Sequence, residues 1–245
     1  FNEDPRDFIP EEWTYRDFAT KLTEVASDAS EYLGNIPVVF GEFGTYFNFG
    51  GIDASKANGY AVSARILDRY YEAFEDLGLG RIVWCFSPEN TAEDGDGWNR
   101  EDFSILGPDR QPRAWTAYVR PYARAASGKP VHSHFHSQHH YTDSEKGEPV
   151  PEREFRFEME SRETLAPTEI FVPLRQYPEG FYVWLSDGTA YYDPDHQMLY
   201  WSPSRDEPGW IHGITIRPPL PDQDVTDWSY FFHGDFTLNG KGGVK

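Results

Sequence analysis

A run of nine residues, Ile36 to Gly44, constrains the fold of this chain more than any other stretch. Its first part is apolar and β-branched, which is typical of a strand buried on both faces, as in parallel sheets. The run ends in Gly41-Glu42-Phe43-Gly44, so one carboxylate stands between two glycines at the end of the strand. In a (β/α)8 barrel this end faces the active site, and Glu42 is then predicted to reach a ligand. A glutamate here can also cap a helix or pair with an arginine, and the short motif leaves that alternative open.

The first half of the chain alternates between helical and strand patterns. Apolar spacing predicts helices over 13–33, 55–77 and 112–126, with strands over 36–40 and 81–86. This order is typical of an α/β fold with parallel strands. Because two parallel strands neither close a barrel nor cover both faces of a sheet, we expect residues 1–127 to be the C-terminal part of a (β/α)8 barrel.

Short alternating segments with turn signals between them follow a change in composition near Ser127-Gly128-Lys129-Pro130. The predicted strands cover 154–160, 168–172, 181–185, 198–201 and 211–216. Many short strands at this spacing predict a β-sandwich, here over residues 128–245 with a Pro- and Gly-rich tail. The predicted fold class is therefore α/β plus all-β, a barrel end followed by a β-sandwich domain.

Composition excludes several classes of partner. The net charge of −19 over 245 residues disfavours nucleic acids and anionic membranes, which select basic surfaces. No apolar run reaches transmembrane length, so we expect no integral membrane segment. Aromatic residues make up 17% of the chain, which suits sugar binding but also ordinary cores. Cys85 is the only cysteine, so the compartment, secreted or cytoplasmic, stays open.

The loop after the second predicted strand collects amide, carboxylate and indole groups over Ser87–Gly107. Such groups recognise an array of sugar hydroxyls. Its Ser87-Pro88-Glu89-Asn90 and Gly95–Ile105 segments resemble the P-D-N…G-D-x-W-N-x-E-D-x-S-I pattern of the endoglycoceramidase and steryl-β-glucosidase branch of glycoside hydrolase family 5. Glu89 replaces the usual Asp, and Arg100 stands where Gly is common. Gly41–Gly44 resembles the seventh-strand motif of the same cellulase-like family, and residues 130–217 resemble the β-sandwich that follows its barrel.

The resemblance implies a retaining β-glycoside hydrolase acting on glycolipid-type β-glucosides such as glycosylceramide or steryl glucoside. It makes Glu42 the nucleophile of a carboxylic pair. Five further residues are expected to contact substrate, namely Trp84 beneath the −1 sugar, Asn90 and Trp98 in the pocket wall, and Tyr46 and Phe47 around the aglycone. Roles in the core or in the loop's own hydrogen bonds remain open for all five.

The acid/base partner of Glu42 has no counterpart in this sequence. In the resembled family it follows an Asn on the fourth strand, whereas the one Asn-Glu pair here, Asn2-Glu3, follows no predicted strand. The sequence therefore predicts a missing N-terminal barrel segment as a partner, with a glycolipid or oligosaccharide as substrate and no cofactor. The alternative is a noncatalytic carbohydrate- or partner-binding module with a relic barrel segment.

Histidines cluster at the start of the second half, at His132, His134, His136, His139 and His140. The first three alternate and are predicted to share one strand face, which could bind Zn or Cu. The opposing interpretation is a polar strand face, and because no carboxylate pattern accompanies the histidines, no metal is predicted.

Overall fold

The computed structural model describes residues 11–34, 36–97, 99–139, 152–205, 207–219 and 229–233. These residues form two compact units, the first holding the described residues up to Tyr118 together with His139 and the second holding the rest. The predicted domain division after residue 127 stays a prediction. The structure is mixed α/β and consists mostly of sheets.

The first unit contains two parallel strands and four helices. Its elements are α1 (Glu11–Leu33), β1 (Val39–Phe43), α2 (Ile52–Ala57), α3 (Ala61–Asp76), β2 (Gly80–Val83) and α4 (Trp115–Tyr118). β1 pairs with β2 in parallel, with Phe43 opposite Val83. β1 begins and ends three residues later than the predicted strand over 36–40. Glu42 therefore lies within β1, one residue before its end, and not after it.

The core of the first unit is apolar and aromatic. Leu22 of α1, Phe43 of β1, and Leu67 and Phe74 of α3 are all buried. Burying a large apolar side chain contributes about 1.5–3 kcal/mol, so this cluster holds the helices against the strands. Gly34 directly follows α1, and its φ of 79° is the left-handed conformation that favours glycine after a helix.

The predicted bounds of two helices were wrong. Instead of one helix over 55–77, α2 and α3 are separated at Gly59 and Tyr60, both of which have positive φ. The predicted helix over 112–126 reduces to α4, and the residues after Pro121 form a strand. Proline ends the helix because it has no backbone N–H and its ring clashes with the preceding turn.

The second unit consists of two antiparallel sheets. Its strands are β3 (Tyr122–Ala125), β4 (Gly128–His136), β5 (Glu154–Ser161), β6 (Thr168–Phe171), β7 (Gly180–Leu185), β8 (Thr189–Asp193), β9 (Met198–Ser202), β10 (Ile211–Arg217) and β11 (Tyr230–His233). The order is β11-β7-β10-β5-β4 in one sheet and β3-β6-β9-β8 in the other. The predicted strands in this region are present, and β3, β8 and β11 were missed.

One hydrophobic core joins side chains from both sheets of the second unit. Phe155, Phe157 and Met159 alternate along β5 and are all buried, as the period of two predicts. Ile170 and Trp201 contribute from the other sheet and are fully buried.

Candidate active site

Glu42 and Trp84 lie side by side at the C-terminal ends of the two parallel strands. The backbone N–H of Trp84 donates to the carbonyl of Phe43 at 2.7 Å, which extends the pairing one residue beyond β2. The expected juxtaposition of these two side chains is therefore present. A pocket of about 430 Å³ opens there, lined by Glu42, Phe43, Gly44, Trp84, Glu101 and Phe103.

Gly44, one of the lining residues, allows two chain segments to approach each other closely. A Cβ added to Gly44 would lie 2.1 Å from the carbonyl oxygen of Trp84, whereas one added to Gly41 would meet nothing within 4 Å. The glycine at position 44 thus has a steric reason that Gly41 lacks. The Trp84–Cys85 peptide bond next to it is cis.

Sequence reasoning did not single out Glu101 and Phe103, which form the other side of the pocket. Their loop is joined to the strand end by two backbone hydrogen bonds, from Cys85 to Phe103 at 3.2 Å and from Ile105 to Cys85 at 2.8 Å. Glu101 brings a second carboxylate to a pocket that already contains Glu42. Its place in the motif segment Gly95–Ile105 was the signal that could have identified it.

A buried ion pair holds this loop. Nη1 of Arg113 donates to Oδ2 of Asp102 at 3.0 Å, and its Nε donates to the carbonyl of Ser104 at 2.9 Å. Both side chains are almost completely buried. Since Asp102 stands between Glu101 and Phe103, the pair positions both lining residues.

The remaining predicted contacts have different surroundings. Tyr46 is 44% exposed, and its ring lies 4.3 Å from that of the pocket residue Phe103. Phe47 is buried with its ring 4.4 Å from the Arg113 guanidinium, which favours its core role. Asn90 is buried and donates to the carbonyl of Leu106 at 3.0 Å, which favours the loop-holding role. Trp98 lies outside the described residues.

The thiol of Cys85 is unreactive at neutral pH. Burial and a hydrogen bond from its Sγ to Asp96, 3.4 Å long, raise the pKa of the thiol to about 12. The thiol is therefore protonated at neutral pH and is a poor nucleophile.

The histidines of β4 do share one face, as predicted. The ring centroids of His132 and His134 are 6.2 Å apart, and those of His134 and His136 are 4.3 Å apart. Within the described ranges, no group of three or more His, Cys, Asp or Glu side chains is arranged to hold a metal ion. None of the helices in the described part of the chain is both long and apolar enough to cross a membrane.

Comparison with protein families and curated proteins gives a consistent result. Residues 120–216 match the glycoside hydrolase family 5 C-terminal domain. The chain is 38% identical over 93 residues to an ergosteryl-β-glucosidase of Saccharomyces cerevisiae, covering 38% of this chain and 12% of the relative. It is 28% identical over 131 residues to a glucosylceramidase of Cryptococcus neoformans, covering 46% and 18%. A glucosylceramidase of Rhizopus delemar is 23% identical over 230 residues, covering 84% and 30%. The chain thus spans less than a third of the length of these relatives.

Solved structures share the fold. A crystal structure of Cryptococcus neoformans sterylglucosidase 1 aligns with a TM-score of 0.70 at 21% identity, covering 86% of this chain and 33% of that chain. Endo-glycoceramidase II from Rhodococcus sp., as a lactosyl–enzyme intermediate, aligns with a TM-score of 0.52 at 19% identity, covering 83% and 40%.

Proposed function

We propose, from the premise that residues 120–216 belong to the glycoside hydrolase family 5 C-terminal domain, that this chain is part of a retaining β-glycosidase. The observation that supports the proposal best is the shared pocket of Glu42 and Trp84 at the ends of adjacent parallel strands. In this proposal the first unit is the end of a (β/α)8 barrel and the second unit is a β-sandwich. Barrel enzymes carry their catalytic groups at this end of their strands.

Glu42 is the proposed nucleophile. Its carboxylate is solvent-accessible and lines the pocket, so it can reach an anomeric carbon and form a glycosyl ester. A retaining mechanism needs a second carboxylic group about 5–5.5 Å away, which protonates the leaving oxygen and then activates water. We assign that acid/base to the barrel segment predicted to be missing, because the resembled family carries it on the fourth strand. The lactosyl–enzyme form of the Rhodococcus protein supports covalent chemistry on this fold.

The other lining residues have complementary roles. Trp84 offers an apolar plate for the C–H face of a pyranose. The Glu101 carboxylate accepts hydrogen bonds from sugar hydroxyls. Tyr46, packed on Phe103, extends the aromatic surface toward the aglycone.

The proposed barrel segment fits apolar surface on the first unit. Val39 and Ile82, on the two parallel strands, are 60% and 57% exposed. Val25, Tyr32 and Leu33 of α1 are exposed as well. Further strands and helices would cover these side chains, as they do in a closed barrel.

The proposed substrate class is a β-glucoside of a lipid. The similar curated proteins act on ergosteryl glucoside or glucosylceramide by name, and the sterylglucosidase structure shares the fold. We therefore propose steryl glucoside or glucosylceramide as substrate.

The test replaces Glu42 in the complete protein. Glu42→Gln is nearly isosteric but cannot form the glycosyl ester, so kcat for a β-glucoside should fall by several orders of magnitude. Glu93→Gln is the matched control, because Glu93 is an exposed carboxylate of the Ser87–Gly107 loop and does not belong to the described pocket lining. This variant should keep kcat within about twofold of the wild type. In Glu42→Gly, azide should restore activity and yield a product of inverted configuration, because the small anion attacks from the side that the carboxylate occupied.

Two outcomes would contradict the proposal. Wild-type kcat in Glu42→Gln would remove Glu42 from the nucleophile role. Binding of β-glucosides by the complete protein without any hydrolysis would favour the noncatalytic module instead.

A further inference from the structure

A second pocket, of about 220 Å³, lies in the second unit next to the turn between β7 and β8. Its lining consists of Ser127, Ser161, Arg162, Thr164, Leu165, Ala166, Ser202, Pro203, Ser204, Arg205 and His212. Five of these side chains carry hydroxyl groups, two are arginines, and no carboxylate belongs to the described lining. Such a lining is unusual in a chain with a net charge of −19.

His212 is the one histidine in the described lining of this pocket. It is 2% exposed, and its Nδ1 lies 2.8 Å from Oδ2 of Asp187. Within the described part of the chain, Nε2 has no hydrogen-bond partner. The edge-to-face contact with Trp201, 6.2 Å between ring centroids, fixes the plane of the imidazole. One ring nitrogen is therefore engaged by the protein, and the other is available to a ligand.

Asp187 is held as an anion behind His212. Its Oδ1 accepts the backbone N–H of Ser204 at 2.7 Å and that of Arg205 at 3.3 Å. Burial alone raises the pKa of this carboxyl, but the hydrogen bonds from Ser204, His212 and Arg205 outweigh it and lower the pKa. A carboxylate so placed holds the imidazole of His212 through Nδ1 and leaves Nε2 as the ring nitrogen that can contact a ligand.

The turn that carries Asp187 depends on Gly188. Its φ is 83°, and a Cβ at this position would lie 2.1 Å from the carbonyl oxygen of Ser202. The turn can therefore lie against the end of β9 only with glycine here. This contact places the Asp187 carboxylate beside His212.

Two guanidinium groups complete the pocket. Arg162 is exposed, and it has no ion pair or hydrogen bond with any residue that the structure describes. Arg205 stacks on the Trp210 ring with its Cζ 4.3 Å from the ring centroid, an arrangement that leaves the edge of its guanidinium for a ligand.

We propose that this pocket binds the phosphate group of a phosphate monoester. Guanidinium groups match the oxygens of a phosphate in pairs, and the serine and threonine hydroxyls supply further donors. A divalent cation fits poorly, because such ions are held chiefly by carboxylates, and the described lining offers hydroxyl groups and two arginines but no carboxylate. The monoester can be that of a small soluble molecule, for which inorganic phosphate is the simplest probe, or the headgroup of a lipid such as phosphatidic acid.

Calorimetric titration of the whole chain with inorganic phosphate in a chloride buffer tests the proposal. We expect saturable binding, which Arg162→Gln weakens by about tenfold through the loss of one charge-assisted contact. Arg124→Gln is the matched control, since Arg124 is an exposed arginine of the same unit that pairs with Glu169, and binding should stay within about twofold. His212→Gln, checked for folding by circular dichroism, should weaken binding as Arg162→Gln does.

Vesicles of phosphatidylcholine with and without phosphatidic acid identify the source. Sedimentation of the chain only with phosphatidic acid, lost in Arg162→Gln, assigns the site to a headgroup, whereas binding of inorganic phosphate without sedimentation assigns it to a soluble phosphate. The proposal is overturned if no saturable binding occurs up to about 10 mM phosphate, well beyond a millimolar dissociation constant. It is also overturned if all variants bind equally, which would indicate an adventitious ion only. Both results are independent of whether Glu42 is a nucleophile.

Discussion

The ion pair between Arg113 and Asp102 determines whether the candidate active-site loop stays in place. Asp102→Asn keeps the shape of the side chain and leaves the Arg113 guanidinium, which is 1% exposed, without its counter-charge. Removing one partner of a buried pair costs about 3–5 kcal/mol. Because the amide oxygen still accepts one hydrogen bond, we expect the lower end, about 3 kcal/mol. Since 1.4 kcal/mol is a factor of ten, the loop should open roughly a hundredfold more often.

Hydrogen exchange followed by mass spectrometry measures this opening directly. The reporter is the amide of Ile105, which donates to the carbonyl of Cys85 at 2.8 Å and exchanges only when the loop detaches. Asp109→Asn is the matched control, because the Asp109–Lys56 pair is largely exposed and such pairs contribute about 0–1 kcal/mol. Exchange in that variant should rise by less than about fivefold.

The reasoning fails if Asp102→Asn exchanges no faster at Ile105 than Asp109→Asn does. A double variant gives a second check. Adding Arg113→Met to Asp102→Asn removes the unpaired buried charge, so part of the protection should return. Further acceleration instead would mean that the packing of the arginine stem, and not its charge, holds the loop.

The remaining predictions concern Gly44, which lines this pocket, and Cys85, which follows the lining residue Trp84. Gly44→Ala should lower the free energy of unfolding, measured by urea titration, by about 1–3 kcal/mol, because the new Cβ clashes with the Trp84 carbonyl. The control Gly41→Ala should change it by less than about 0.5 kcal/mol. Equal effects of the two substitutions would contradict the steric argument. Because the pKa of Cys85 is raised to about 12, iodoacetamide at pH 8 should alkylate the folded chain at least about a hundredfold more slowly than the urea-unfolded chain. The stability that this thiol contributes is present below its unfolded pKa near 9 and is lost as the pH rises toward 12. A free energy of unfolding that increases between about pH 9 and 12 would contradict the raised pKa.

The strands of the second unit could be predicted because burial alternates with polarity along each of them. Phe155, Phe157 and Met159 point into the core, and the charged residues between them do not. The missed strand β3 follows Pro121, which itself argued against the predicted helix. Tyr122 pairs with Phe171, about fifty residues away in sequence, and no local pattern contains such a partner.

The candidate site was predictable only in part for the same reason. Glu42 lies near the end of β1 and Trp84 directly after β2, and both strand ends can be located approximately from an apolar run, so their proximity could be expected. Glu101 and Phe103 belong to an irregular loop, and their position depends on the pairing of Asp102 with Arg113. Irregular loops have no period, and their shape follows from individual contacts between residues distant in sequence.

The indole of Trp201 gives the second pocket an optical signal. Its Nε1–H donates to the carbonyl of Asp187 at 3.0 Å, and its ring meets His212 edge to face. A protonated imidazole quenches tryptophan emission by accepting an electron from the excited ring, whereas a neutral one quenches much less. Because Trp201 is fully buried, bulk solvent does not reach it, and His212 is a neighbour through which its fluorescence lifetime can respond to the pocket. Comparing the decay of the whole chain with that of Trp201→Phe would isolate this lifetime and let the charge state of His212 be observed without any attached label.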